Sequence, residues 1–218
     1  MILPIQLVTP PLSERHHPRR AVELIEAVLD GALARSSPCL VVAPAGLATV
    51  DSEDEAFEQA EAIRVIARRT GVAMIFGIDV GPPTPSAGRM FACYGGAPVL
   101  WPAQARRGFP PDGAHRLLHL GDTLVLPLFA SEALDPLAPR RIERMEGVGA
   151  IVVLSHGGAT PRWTPALERL ERLAPIVVAA HHGGIGTGYA SSRLAATWLT
   201  VRDAETVDAT QRIIKAAA

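Results

Sequence analysis

AIVVLSHGG, from Ala150 to Gly158, is an apolar run that stops at a Ser-His pair and two glycines. The same form recurs in CLVVAPAG (Cys39 to Gly46), LVLPLFASE (Leu124 to Glu132) and IVVAAHHGG (Ile176 to Gly184). Segments this rich in Val, Ile and Leu, too short for free-standing helices and flanked by Gly and Pro, predict strands buried on both faces. Open α/β sheets collect ligands at the carboxyl ends of such strands, so the residues that close each run carry the functional reading.

Outward from these runs the elements alternate. After strand-like Ile2 to Val8, Arg19 to Ala34 places Val22, Ile25, Val28, Leu29 and Leu33 at helical spacing, and Ser36-Ser37-Pro38 ends that helix before the next strand. Asp51 and Ser52 supply caps for a second helix, Glu53 to Thr70, with an acidic first turn, a basic last turn and Gly71 as its stop. Strand Val72 to Gly77 follows, then two short paired strands at Met90 to Tyr94 and Ala97 to Trp101. A Pro- and Gly-bearing loop, Pro102 to Gly113, leads to His115 to Leu120 and strand Thr123 to Phe129, a strand pattern that Pro127 weakens. Helices are expected near Pro139 to Glu146 and Thr164 to Leu173, and the tail predicts a strand at Leu194 to Val201 and a closing helix at Ala204 to Ala217. No linker or repeat divides the chain, so residues 1–218 read as a single α/β domain with mixed sheets and helices outside.

Bulk properties narrow the function. A 48% hydrophobic and 20% charged composition is that of a globular protein, and a net charge of −1 gives no field for nucleic acid or anionic membrane. The apolar runs are of strand length, and the N-terminal residues lack the pattern of a secretory leader, so the expected location is the cytoplasm. Cys39 and Cys93, without CxxC or zinc-ligand spacing, read as packed strand residues. Gly184 to Gly188 (GIGTG) lacks the Gly-Lys-Ser/Thr ending of a phosphate loop, and no cofactor is implied.

Three stretches carry a resemblance: VVAPAG (Val41 to Gly46), RRGFPP (Arg106 to Pro111) and LFASE (Leu128 to Glu132). In this order the chain resembles the carbon-nitrogen hydrolase, or nitrilase, superfamily, in which these places hold a glutamate, a lysine and a cysteine. Glu61 to Gly77 is similar to that family's helix and "(K/R)xTGVxxxxG", and Gly149 to Ser155 is similar to its "GAxxIxxPS" strand. The resemblance covers nearly the whole chain and implies an α-β-β-α sandwich that pairs into a four-layer homodimer.

The family's chemistry needs a thiol, a base to take its proton and a cation for the oxyanion. The resemblance puts Ala130 in the nucleophile's place, Ala45 in the base's and Arg106 in the lysine's. Composition supports the loss independently, because the chain's one lysine is Lys215 and its only cysteines are Cys39 and Cys93. The strand ends remain polar: Arg106, Glu132, Ser155, His156, His181 and His182 are the pocket candidates, with Glu132 as a structural residue that orients the pocket. His156, His181 and His182 are the set that would hold a metal, although they lack a ligand motif and no metal is assigned.

Two classes of function follow. One is a non-catalytic nitrilase-fold pseudoenzyme that binds a small carbonyl, amide or carboxylate ligand, or a protein partner, with Arg106 as anion anchor. The other is a hydrolase of amide-type C–N bonds rebuilt on Arg106, Glu132 and the strand-end histidines, with a His as general base to water or as a metal ligand.

Overall fold

The computed structural model describes residues 5–8, 18–33, 40–82, 87–94, 103–104, 108–109, 116–156, 163–180, 186–192, 195–201 and 206–208. The strands are β1 (Ile5–Val8), β2 (Leu40–Val42), β3 (Ala48–Val50), β4 (Ala73–Val80), β5 (Gly88–Cys93), β6 (Ala103–Gln104), β7 (Leu118–Leu120), β8 (Thr123–Phe129), β9 (Val148–Leu154), β10 (Ile176–Ala180), β11 (Gly186–Ser192), β12 (Ala195–Val201) and β13 (Thr206–Asp208). The helices are α1 (Pro18–Leu33), α2 (Glu53–Thr70), α3 (Ala130–Ala133), α4 (Ala138–Ile142) and α5 (Trp163–Glu171).

The strands form two mixed sheets. One runs β13-β1-β2-β4-β5-β6, with β3 also on β4, and the other runs β12-β11-β10-β9-β8-β7. Each has a parallel centre, β1-β2-β4 in the first and β8-β9-β10 in the second, with antiparallel strands outside it. Side chains alternate along each strand, and that alternation builds three cores. Leu40, Val42 and Ile75 from the first sheet meet Val125, Val152, Leu154 and Val178 from the second in one core between the sheets. Val41, Met74, Phe76 and Ile78 turn outward onto Ile25 and Leu29 of α1 and Ile63 and Ile66 of α2. Leu126, Leu128, Ile151, Val153 and Val177 turn the other way, onto Trp163, Leu167 and Leu170 of α5. The result is the α-β-β-α sandwich expected from the sequence.

Helix α2 matches its sequence signals closely. The Ser52 hydroxyl accepts from the backbone N of Glu55 at 3.2 Å, the Asp51 backbone N donates to the Glu55 carboxylate at 2.9 Å, and Gly71 closes the helix at φ 70°. Pro127 lies inside β8 after all. Strand β7 pairs β8 only over Thr123 to Val125, so on that side no described strand needs an N–H from Pro127. The tail corrects the sequence reading: where Ala204 to Ala217 predicts a helix, Thr206 to Asp208 forms β13, antiparallel to β1. The open edge of β1 offers unpaired backbone groups, and pairing there overrides local helix preference. Residues 209–218 and the expected strand at Ala97 to Trp101 lie outside the described residues. No helix among the described residues is long and apolar enough to cross a membrane.

Candidate active site

Two of the three positions that the resemblance aligns with the family's triad lie at strand ends. Ala45, fully buried, follows β2 and belongs to the core between the sheets; Ala130, partly buried, follows β8 directly. Gly46 takes the left-handed φ of 68°, which turns the chain so that the Leu47 N–H meets the Gly77 carbonyl at 2.8 Å. Gly77 donates in turn to the Pro44 carbonyl at 3.2 Å, and together these bonds pin the Pro44–Gly46 turn against β4.

His156 reaches this turn from the other sheet. It follows the end of β9, and its Nε2 lies 2.6 Å from Oδ1 of Asp79 on β4. Asp79 is 1% exposed and its side-chain partner His156 is 29% exposed. Gly88, opposite Asp79 on the neighbouring strand, leaves the space the imidazole fills: a Cβ there would stand 2.9 Å from His156 Cε1. A Cβ on Gly46 would stand 3.3 Å from His156 Cδ2. The Phe129 ring lies parallel to the imidazole, at 10° and 6.3 Å between centroids. His156 is therefore flanked by Gly46, the neighbour of Ala45, and by Phe129, the neighbour of Ala130.

Glu132 is fully buried and takes a structural part. Arg116, 3% exposed, donates from Nη1 to its Oε1 at 2.7 Å and Oε2 at 2.6 Å. The same Oε2 accepts the Phe129 backbone N–H at 2.9 Å. Phe129 has no side-chain acceptor, so only the glutamate arm of a capping box exists at the start of α3. Ser155 is buried, and its backbone N donates to the Ala180 carbonyl at 3.0 Å, joining the ends of β9 and β10. Arg106, His181 and His182 lie outside the described residues. Among the described residues no group of three or more His, Cys, Asp and Glu side chains gathers as metal ligands would.

The Phe109 backbone is tied to the segment that joins α3 and α4. Asp135 accepts the Phe109 N–H at 2.8 Å and the Leu137 N–H at 2.9 Å, and Arg141 donates to the Phe109 carbonyl. The Leu137 N–H bond, helped by Phe109 N–H and Arg141, holds the Asp135 carboxyl below its ordinary range. A depressed folded-state pKa gives stability that is complete above the unfolded value and lost as pH falls through the folded one. Asp135→Asn is therefore expected to lower stability by about 1–2 kcal/mol at neutral pH. Melting curves should show the gap to wild type closing on acidification through the carboxylate range.

Cys93 is no displaced nucleophile. It lies on the outer, helix-facing side of β5, its thiol 3.7 Å from the Ala60 carbonyl. Burial, reinforced by Glu61 and opposed by Arg64, pushes the thiol up to about 12. In a Cys39→Ser background, iodoacetamide at pH 8 is expected to leave native protein unlabelled and to label it fully once unfolded. Rapid labelling of the native form would contradict the packing.

Asp79 and Arg116 are the site residues that sequence reasoning missed. The available signal was one acid inside the otherwise apolar AMIFGIDV and one arginine opening a short apolar run.

No family model and no curated protein matches the sequence. Solved structures do match. The NitN amidase from Nesterenkonia sp. AN1 superposes with a TM-score of 0.68 at 19% identity, over 94% of this chain and 91% of that one. A cysteine-to-serine variant of the Nesterenkonia AN1 amidase, described as from the nitrilase superfamily, gives 0.68 at 19% identity over 98% and 94%. A cysteine-to-alanine variant of the amidase in complex with butyramide gives 0.65 at 19% over 98% and 93%. The chain has the fold of the carbon-nitrogen hydrolase, or nitrilase, superfamily.

Proposed function

We propose that this chain is a single-domain nitrilase-fold protein that has lost thiol-dependent cleavage of C–N bonds and binds a small carbonyl, amide or carboxylate ligand between its sheets. The observation that carries this reading is the pair of alanines, Ala45 and Ala130, at the two strand ends where the resemblance calls for base and nucleophile. Such a cleft does not need those groups to bind. The Nesterenkonia amidase holds butyramide with its cysteine replaced by alanine, and holds acrylamide in an E-to-Q and C-to-A double mutant. The same capacity to bind without those groups is what the reading extends to the alanines here. Arg106 serves as the anion anchor in this reading.

Ligand-observed NMR with butyramide, together with a panel of small amides and nitriles, tests the proposal. Saturable binding without turnover is expected. Amide hydrolysis through a covalent acyl adduct on either thiol would overturn it. The reading also takes the protein to be a cytoplasmic homodimer; Phe57 and Val65, 41% and 58% exposed on α2, are apolar groups left on its surface. A hydrodynamic mass of one chain at micromolar concentration would count against the dimer.

A further inference from the structure

The Asp79–His156 pair has no role in that reading, yet it is built as a proton-transfer element. A carboxylate accepts and does not donate, so Nε2–H of His156 donates to Asp79 Oδ1 and, in the neutral ring, the lone pair is fixed on Nδ1. No partner for Nδ1 appears among the described residues. Ring position is constrained from several sides: Phe129 lies parallel to it at 6.3 Å between centroids, Gly46 meets the Cδ2 edge and Gly88 the Cε1–Nε2 edge. The dyad also spans the two sheets, since Asp79 comes from β4 and His156 follows β9, and it stands near Gly46 and Phe129, the neighbours of Ala45 and Ala130. A solvent-accessible imidazole with one fixed tautomer and a buried carboxylate behind it meets the geometric demands on a general base.

We propose that His156, oriented by Asp79, activates water for hydrolysis of small acyl esters in this cleft. Nδ1 takes a proton from water as the water oxygen bonds to the acyl carbon and the carbonyl π pair moves onto its oxygen. The tetrahedral intermediate then re-forms the carbonyl, the C–O bond to the leaving group breaks, and the imidazolium returns its proton to the departing alkoxide. Ester and water give acid and alcohol, and the dyad is restored. An alkoxide leaves such an intermediate far more readily than an amide anion, which is why one base without a nucleophile favours esters. In this scheme His156 is the catalytic residue and Asp79 a positioning residue. The inference rests on the reading that the cleft admits a small carbonyl compound.

The test follows p-nitrophenyl butyrate hydrolysis by wild type, His156→Gln, Asp79→Asn and the exposed-site control His119→Gln, with butyramide binding measured in parallel. The rate is expected to fall by about 10²-fold or more in His156→Gln, by less in Asp79→Asn, and not at all in His119→Gln. A normal solvent deuterium isotope effect without an acyl burst is expected for wild type. If His156→Gln does not fold, His156→Ala supplies the second arm, with free imidazole expected to restore part of its rate. Butyramide binding with ester turnover equal in wild type and His156→Gln overturns the dyad and leaves the binding reading standing. Absence of both binding and turnover overturns the two together. An acyl burst with no isotope effect shows covalent catalysis by a nucleophile and refutes the general-base assignment.

Discussion

Arg116→Ala is expected to destabilise the protein by about 3–5 kcal/mol, the range seen when one member of a buried ion pair is removed. Glu132 is fully buried, and Arg116, 3% exposed, covers both of its carboxylate oxygens. Once the guanidinium is gone, the buried charge keeps the Phe129 N–H but loses the Arg116 cation. The comparison that separates lost charge pairing from lost packing is Arg116→Met with Glu132→Gln. Both charges then disappear, methionine retains much of the apolar stem, and a glutamine oxygen can still accept from Phe129. Urea unfolding should place this double variant well above Arg116→Ala in stability. A loss of under about 1 kcal/mol in Arg116→Ala is what an exposed pair would give and would refute the burial argument. Because Glu132 holds the Phe129 backbone and the Phe129 ring lies against His156, ester turnover should fall in the same variant.

The fold was legible where the information is local. Ala150 to Leu154 and Ile176 to Ala180 are strands because their apolar runs have no helical period, and α2 carries its caps in its own sequence. Glu132 was legible as a structural acid. Its partner was not: the loop motif singles out Arg106, while the cation on Glu132 is Arg116, a contact that depends on how β7 and β8 pair. His156 was legible as a strand-end candidate, but Asp79 stands 77 residues away on the opposite sheet, and no local pattern links them. Strands β3, β6, β11 and β13 were missed as well: β3, β6 and β13 are too short to show a period, β11 (GTGYASS) has no apolar run, and all four exist through the strands they pair with, β4, β5, β10 and β1. Sequence patterns therefore give the strand ends, and packing of one sheet on the other selects which side chains meet there.

Gly77→Ala is the second large effect, expected at about 3 kcal/mol, the upper part of the range for overpacking. Gly77 has no positive φ, so the difficulty is space alone. An added Cβ would stand 2.6 Å from Ala45 Cα, 3.2 Å from Ala45 Cβ and 3.4 Å from the Gly46 backbone N. Two of those three atoms are backbone, and no rotamer change moves them aside. The neighbouring Phe76 and Ile78 pack against the helices, so Gly77 points into the space between the sheets, where the turn at Ala45 has no room to retreat. Relief requires stretching the Leu47 N–H bond to the Gly77 carbonyl or the Gly77 N–H bond to Pro44, the two contacts that pin the turn. Gly46 moves with it, and a Cβ at Gly46 lies only 2.9 Å from Asp79 Oδ2, so the dyad shifts too. Gly71→Ala is the matched control: its φ of 70° strains alanine by about 1–2 kcal/mol, but among the described residues no atom beyond its chain neighbours lies within 4 Å of the new methyl. Thermal unfolding should rank Gly77→Ala below Gly71→Ala, and only Gly77→Ala should also lose ester turnover. Equal stability of Gly77→Ala and wild type would mean that the turn at Ala45 is not pressed against β4, and the cleft would have to be redrawn.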